Sequence, residues 1–206
     1  QLPFVLELAA NGFFSKASVS IGGGLLTVGN ANLLMAHGTE VQKSVFALNE
    51  FNGRFSGTMC LSEPQAGSSL SDIVTRATPD GDHATDDPLG PRYRLRGNKM
   101  WISAGEHELG ENIIHLVLAK IPDPQGRLIP GVKGISLFIV PKHLVGVDGQ
   151  LTGVRNDVAL AGLNHKCGWR GTTNTLLNFG EGKFKPGGQA GAIGYLVGKP
   201  GDGLRC

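Results

Sequence analysis

The hydrophobic period of this chain changes near residue 57, and that change limits the folds it can adopt. Before residue 57, apolar residues follow helical spacing, as at Leu2, Val5, Leu6 and Ala9. After it, apolar or alternating runs of strand length are divided by turn signals; these runs cover 57–62, 73–78, 92–103, 113–121, 134–140, 152–160 and 172–180. Helices followed by many short strands predict an α+β chain, whose second part is an antiparallel barrel or sandwich.

The helical part carries one clear start signal. Thr39 and Gln42 form the S/T-x-x-Q pattern of a capping box, in which each residue's side chain bonds the other's backbone. The helix that they open is predicted to end before Asn52-Gly53 and to bury a stripe made of Val41, Val45, Phe46 and Leu48. Upstream, Gly12 predicts a helix end, and the small apolar residues of 18–35 predict a buried helix.

Composition excludes several classes of protein. The net charge of +2, from 19 basic and 17 acidic residues, is too balanced for a nucleic-acid or membrane surface. The chain has no run of eighteen apolar residues, which predicts no membrane span. It begins Gln1-Leu2-Pro3-Phe4, with neither a secretory signal nor an initiator Met, so we expect it to be cut from a longer protein.

No cluster in the sequence predicts a metal site. Three cysteines (Cys60, Cys167 and Cys206) cannot all pair with one another and match no zinc spacing, which predicts reduced thiols in a reducing compartment. His165-Lys166-Cys167 lacks a companion pair of ligands. The acidic stretch 81–91 departs from the EF-hand pattern, and both it and Glu106-His107-Glu108 are predicted to be solvated loops.

Familiar catalytic motifs are also missing. The chain contains neither G-x-x-x-x-G-K-[ST] nor G-x-G-x-x-G after a strand, and it has no G-x-S-x-G nucleophile elbow. The six histidines are scattered, and each is more simply a surface or hydrogen-bonded core residue than a catalytic base. The residues alone therefore assign no catalytic group.

Two segments stand out because of their order and spacing. The first, Met59-Cys60-Leu61-Ser62-Glu63-Pro64-Gln65-Ala66-Gly67-Ser68, runs from a strand into a turn of small residues. The second, Lys99-Met100-Trp101-Ile102-Ser103, follows about thirty residues later and ends a strand with a Trp, an apolar residue and a hydroxyl. Judged by residue types alone, Trp101 could be a core aromatic and 63–69 an ordinary turn.

In this order and at this spacing, the two segments resemble the flavin-contacting segments of the acyl-CoA dehydrogenase family. Further runs that are similar to the family lie at 37–43, 134–142 and 165–173, so the resemblance covers nearly the whole chain from about residue 31. It implies an architecture of N-terminal helices, a middle β-barrel and a C-terminal helical bundle, of which the bundle is absent here. The corresponding divisions are 1–56, the end of the helical domain; 57–183, the barrel; and 184–206, a linker.

The resemblance also implies a site for FAD and for an acyl-CoA. The residues implied to bind the cofactor are Met59, Leu61, Ser62, Trp101, Ile102 and Ser103; those implied to bind the CoA part of the substrate are Gly67 and Ser68. Trp101 would cover one face of the flavin ring, and the backbone of Leu61 and Ser62 would donate to its polar edge. Ser69 stands where the family commonly has Asp, which weakens the CoA assignment more than the flavin assignment.

These implied roles are physically reasonable. An isoalloxazine ring needs a flat apolar partner, which an indole supplies. Its polar edge gains negative charge on accepting a hydride, and backbone N–H groups or hydroxyls aimed there stabilise that charge. The turn of small residues at 66–69 lets backbone approach a bulky ligand and offers amides to a phosphate or pantetheine chain.

The resulting hypothesis is FAD-dependent α,β-dehydrogenation of an acyl-CoA thioester. The family's carboxylate base lies in the C-terminal domain, so no catalytic residue is assigned here and this segment alone is expected to be inactive. Implied partners are an acyl-CoA, an electron-transfer flavoprotein and further copies of the chain in a homo-oligomer. The expected location is cytoplasmic, with the mitochondrial matrix as an alternative. Other flavin enzymes on this fold (acyl-CoA oxidase, flavin monooxygenase, alkylation-response relatives) and a flavin-free binding module stay open.

Overall fold

The computed structural model describes residues 3–206 and has helices first and strands after. The helices are α1 Phe4–Ala17, α2 Gly24–His37, α3 Glu40–Gln42, α4 Leu48–Phe51 and, between strands, α5 His83–Asp86. The strands are β1 Phe55–Cys60, β2 Arg76–Pro79, β3 Arg92–Ser103, β4 Asn112–Lys120, β5 Ile135–Pro141, β6 His143–Val145, β7 Leu151–Arg155, β8 Val158–Leu163, β9 Asn174–Phe179 and β10 Ala192–Val197. The predicted order of helices and barrel is confirmed; Leu2 lies outside the described residues.

Eight strands form one sheet that closes into a barrel. Its order is β1-β4-β5-β10-β3-β9-β8, and the short strand β2 pairs with both β3 and β4, which joins the two halves. Most pairs are antiparallel, whereas β1 and β2 each run parallel to β4. The hairpin of β6 and β7 is a separate two-stranded sheet. The predicted antiparallel barrel is therefore confirmed, except that β4 pairs in parallel with β1 and β2.

The barrel has an apolar interior, and its outer face packs against the helices. Interior side chains include Val117, Phe138 and Phe179. The other core cluster joins residues of the helical segment, such as Leu34 and Phe46, to strand residues such as Leu116. Strands β4 and β5 are buried along their whole length because they contribute to both clusters. This explains their nearly continuous apolar sequences.

The predicted capping box is present, but the helix that follows it is not regular. The amide of Gln42 donates to Thr39 Oγ1 at 3.2 Å, and the amide of Thr39 donates to Gln42 Oε1 at 3.1 Å. Residues Lys43–Ala47 then form a π-helical turn before α4. The predicted stripe is only half right: Val45 and Phe46 are buried, whereas Val41 and Leu48 are exposed. The wider turn rotates the residues after it, which accounts for Leu48; Val41 lies before the turn.

Several predicted boundaries differ from the structure. Helix α1 continues through Gly12 to Ala17, and the predicted strand 152–160 is two strands, β7 and β8, that flank the buried Asn156-Asp157 corner. The largest difference lies in 184–206, predicted as a linker, where β10 is a fully buried strand between β5 and β3. Because glycines and lysines flank β10 on both sides, the segment has the composition of a linker, and its short apolar run was not recognised as a strand.

The segment Val19–His37 is long and apolar enough to cross a membrane, by length and composition only, with a mean hydropathy of 1.3. A core helix of a soluble protein passes the same test, but only 18% of this segment is buried, so the prediction of a buried helix over 18–35 is wrong. Here polar side chains tie the segment to the barrel: Asn30 donates to the carbonyls of Thr58 and Ile114, and Thr27 accepts from the amide of Gly57. The absence of a membrane span stays a prediction.

Candidate flavin and acyl-CoA site

The structure brings the two singled-out segments side by side. The chain leaving β1 runs along the end of β3, where the amide of Met100 donates to the carbonyl of Ser62 at 3.0 Å. The ammonium of Lys99 donates to the carbonyl of Leu61 at 3.0 Å. Ser62 and Trp101 are therefore held on neighbouring stretches of backbone, although about thirty residues separate the two segments in the sequence.

A buried ion pair fixes this junction. Lys99 Nζ lies 2.9 Å from Glu63 Oε1, and both side chains are almost fully buried. Glu63 also accepts from the amides of Val74 and Thr75 and from the Thr75 hydroxyl. Burial alone would raise the pKa of Glu63, but the Lys99 charge and these hydrogen bonds outweigh it and lower that pKa. Burial lowers the pKa of Lys99, against the opposing effect of Glu63.

Trp101 sits in a backbone conformation that L-residues seldom adopt. Its φ is 65°, and the register between β3 and β9 shifts between Lys99 and Ile102, which marks a bulge. Ala104 also has a positive φ, of 52°. The indole is 58% exposed, a large apolar surface at the end of a strand. A strained non-glycine residue that presents an apolar plane to solvent is typical of a ligand contact.

Two hydroxyls near Trp101 are free to bind a ligand. Among residues 3–206, no protein group hydrogen-bonds the side chain of Ser62 or Ser103, and both residues are half-buried. The amides of Leu61 and Ser62 likewise have no acceptor within the described chain. These groups are the donors that the sequence predicted for the polar edge of a flavin.

The remaining predicted cofactor residues offer less side-chain surface. Met59 and Leu61 are half-buried and pack on the cluster between helices and barrel. Ile102 is 2% exposed, its side chain lies inside the barrel, and its carbonyl accepts from the Thr175 hydroxyl. Any contact of Ile102 with a cofactor would therefore be through its backbone.

The predicted substrate residues lie on an exposed loop between β1 and β2. Gly67 and Ser68 are both exposed, and Lys120 Nζ holds the far end of the loop by donating to the Ser71 carbonyl at 2.6 Å. A Cβ at Gly67 would meet no described atom within 4 Å, and its φ is not in the left-handed region. Nothing in the described fold requires glycine at 67. In place of the family's Asp, Ser69 bonds the Ser71 hydroxyl at 2.9 Å.

A second loop, whose role the sequence did not assign, borders the same strand end. The amide of Ala104 donates to the carbonyl of Thr173, and Ser103 pairs with Asn174. The loop's basic side chains, Lys166 and Arg170, line a cavity of about 240 Å³ with His165 and Thr172. The run 165–173 is similar to the family, and that similarity is the feature of the sequence that points to this loop as part of the site.

Buried titratable groups elsewhere offer no reactive centre within the described residues. Burial raises the pKa of Cys60 to about 12 and lowers the pKa of His115 to about 3, so both are neutral at physiological pH. The three cysteines are free, and no group of three or more metal-ligating side chains occurs in residues 3–206. Glu106, predicted to be solvated, instead pairs with Lys142 and with Arg155 because the loop folds back over β5.

Comparison with known proteins identifies the class to which this arrangement belongs. No family model matches the chain. The chain is 40% identical over 205 residues to 3-methylmercaptopropionyl-CoA dehydrogenase of Ruegeria pomeroyi, covering 99% of this chain and 31% of that protein. It is 39% identical over 182 residues to butyryl-CoA dehydrogenase of Syntrophomonas wolfei, covering 88% of this chain and 28% of that one. The structure is similar to acyl-CoA dehydrogenase from Geobacillus kaustophilus, with a TM-score of 0.61 at 25% identity, over 91% of this chain and 40% of that one.

The chain belongs to the acyl-CoA dehydrogenase family. It spans about a third of the length of the curated relatives it matches. The matched part contains the end of the helical region and the barrel, which is the part predicted from the sequence.

Proposed function

We propose that this segment forms the flavin-binding half of the active site of an FAD-dependent acyl-CoA dehydrogenase. One observation carries the proposal: Trp101 is turned outward by a strained bulge, next to the unpaired hydroxyls of Ser62 and Ser103. An exposed indole beside free donors suits a large aromatic ligand with a polar edge. The identity to acyl-CoA dehydrogenases over nearly the whole chain supports the same reading.

FAD would be held mainly by one aromatic ring, two hydroxyls and two backbone amides of the chain. Trp101 would stack on one face of the ring, while the Ser62 and Ser103 hydroxyls and the free amides of Leu61 and Ser62 would face its polar edge. When bound, FAD supplies the capacity to accept a hydride from the β-carbon of a thioester. The protein donors lower the cost of the charge that develops, because they are already oriented by the Glu63–Lys99 junction.

The acyl-CoA would lie across the loop that contains Gly67 and Ser68. Its reaction also requires a base that removes the proton α to the thioester carbonyl. We assign no such base within residues 3–206, because the carboxylates near the site are committed to ion pairs, as Glu63 is to Lys99. The base is therefore proposed to come from outside this segment.

The proposal also covers the electron acceptor, the oligomeric state and the cellular location of the enzyme. We propose that electrons leave to an electron-transfer flavoprotein and that the native protein is a homo-oligomer. The three free cysteines support a reducing location, the cytoplasm or the mitochondrial matrix.

The proposal is tested anaerobically on the native-length protein. The visible spectrum is recorded, and a panel of acyl-CoA thioesters of increasing chain length is added. Bleaching of the yellow colour by one or more thioesters is the expected result. A yellow protein that no thioester bleaches would indicate another flavin chemistry on this fold, and reoxidation of reduced flavin by oxygen would indicate an oxidase. A colourless protein that FAD cannot reconstitute would contradict the proposal and favour a binding module.

A further inference from the structure

The outer face of strands β2 and β3 carries more positive charge than its acidic side chains neutralise. Arginines occupy alternate positions of β3, at Arg92, Arg94 and Arg96, while the residues between them, Tyr93 and Leu95, face inward. Arg76 lies directly opposite Arg96 across the antiparallel pair. Two like charges at facing positions destabilise a sheet, and a bound anion would offset that repulsion.

The nearby carboxylates are used by the other two arginines. Asp80 accepts from Arg92 Nε at 2.7 Å through one oxygen and from Arg94 Nε at 2.5 Å through the other. Arg92 also pairs with Asp87 at 3.0 Å. Within residues 3–206, neither Arg76 nor Arg96 has a carboxylate partner. Glu181, on the neighbouring strand turn, is already bonded by Asn98 and Asn178.

The two unneutralised guanidinium groups retain hydrogen-bond donors. Arg76 donates once, to the carbonyl of Gly126 at 3.0 Å, and Arg96 donates once, to the carbonyl of Ala190 at a long 3.5 Å. A guanidinium has five N–H donors, so most of them are free. Both side chains line a groove of about 420 Å³, with Arg94, Thr78 and Gln189 as further polar lining. The Asp80 carboxylate also lines the groove, but its charge is paired with Arg92 and Arg94.

We propose that this groove binds a phosphate group through Arg76 and Arg96. Two guanidinium groups that line one groove match the charge and hydrogen-bond acceptors of a phosphate monoester better than those of a neutral ligand. The phosphate could be carried by a coenzyme A thioester, by way of its 3′-phosphate, or by a separate phosphate ligand. The inference rests on the strand register and the charges, and does not require the proposed flavin chemistry.

Binding to the native-length protein is the test, measured by titration calorimetry at constant ionic strength. The ligands are inorganic phosphate, coenzyme A and 3′-dephospho-coenzyme A. The variants are R76Q, R96Q and the double variant; R205Q, at an exposed arginine distant in sequence, is the control for net charge. Thermal melting of each variant confirms that it folds.

We expect the double variant to lose at least about tenfold in affinity for a phosphate ligand, and R205Q to lose less than about twofold. Loss for coenzyme A without loss for the dephospho form assigns the site to the thioester's 3′-phosphate. Arginine-dependent binding of inorganic phosphate, with equal affinity for both coenzyme forms, assigns it to a separate ligand. If no ligand distinguishes the double variant from R205Q, the proposal is overturned. The visible spectrum of the same samples reports separately on the flavin proposal.

Discussion

At the scale of single residues, the site depends on backbone conformation as much as on side-chain type. Trp101 and Trp169 both have positive φ values, 65° and 54°, and both indoles are exposed. Left-handed backbone costs on the order of 1–3 kcal/mol for a non-glycine residue. At Trp101 that cost places an apolar plane beside two unpaired hydroxyls, whereas Trp169 lies on the loop before β9.

Replacing Trp101 by Ala is expected to weaken FAD binding by about tenfold or more, because a stacked aromatic contact contributes on the order of 1–3 kcal/mol. Unfolding stability should change by less than about 0.5 kcal/mol, as at other surface positions. Fluorescence titration with FAD and chemical denaturation measure the two effects. The control is Phe13→Ala, which removes an exposed aromatic ring from α1 and should leave FAD affinity unchanged. Equal loss of stability and affinity in Trp101→Ala would mean that the indole is only structural.

Replacing Ser103 by Ala in the native-length protein should slow flavin reduction by about tenfold or more while FAD stays bound, because one preorganised donor is lost. Stopped-flow absorbance under anaerobic conditions measures the rate. Ser44→Ala, which removes a hydroxyl that bonds a helix carbonyl at 3.0 Å, is the control. An unchanged rate in Ser103→Ala would mean that this hydroxyl does not stabilise the reduced flavin.

At the scale of elements, a single π-helical turn determines how the helices meet the barrel. Because residues after Lys43–Ala47 are rotated, Glu50 faces inward and is 3% exposed. Among the described residues, no group hydrogen-bonds either carboxylate oxygen of Glu50 or Asn30 Oδ1. A Cβ at Gly57 would come within 2.6 Å of both Glu50 Oε1 and Asn30 Nδ2, so glycine at 57 leaves the space that these two side chains occupy.

Glu50 should make helix docking dependent on pH. Burial raises the pKa of Glu50 well above its usual value, with a smaller opposing effect of Asn30. The folded state then binds the proton more tightly than the unfolded state. Stability is therefore full below the unfolded pKa, about 4.3, and falls as pH rises toward the folded pKa, by about 1.4 kcal/mol per unit. Glu50→Gln should remove this fall and melt at a higher temperature than the unmodified protein at pH 8.

Melting temperatures at pH 5 and pH 8 decide this prediction. Glu40→Gln, at an exposed carboxylate, is the control and should keep the pH dependence of the unmodified protein. If Glu50→Gln keeps it as well, Glu50 is not the group responsible.

The elements differ in how far the sequence could predict them. Strand β3 has the predicted bounds, 92–103, since its alternation is long and its turns are well marked. The π-turn has no sequence signal that we recognise, and it changes the direction of Leu48, which follows it. Strand β10 was missed because its burial comes from β5 and β3 on either side, a tertiary effect that local composition does not reveal.

The sequence predicted which segments form the site, but not the backbone geometry within it. The pairing of the two segments followed from their resemblance to the family, and the free hydroxyls of Ser62 and Ser103 agree with it. The bulge at Trp101 and the burial of Ile102 depend on the register of β3 against β9, which the sequence does not specify. The roles of the individual residues stay predictions.

At the scale of the whole molecule, the long strand β3 contributes residues to both the proposed flavin site and the proposed phosphate site. The end of β3 holds Trp101 and Ser103, and Arg96 lies five residues earlier on the same strand, about 17 Å away at the usual rise per residue. The connection from β1 to β2, residues 61–75, contains Gly67 and Ser68.

The most direct test of the central claim is a crystal structure of the native-length protein with FAD bound. We expect the isoalloxazine ring to stack on Trp101, with its polar edge within hydrogen-bond distance of Ser62 and Ser103. A flavin bound elsewhere, with the Trp101 indole covered by protein instead, would contradict the account.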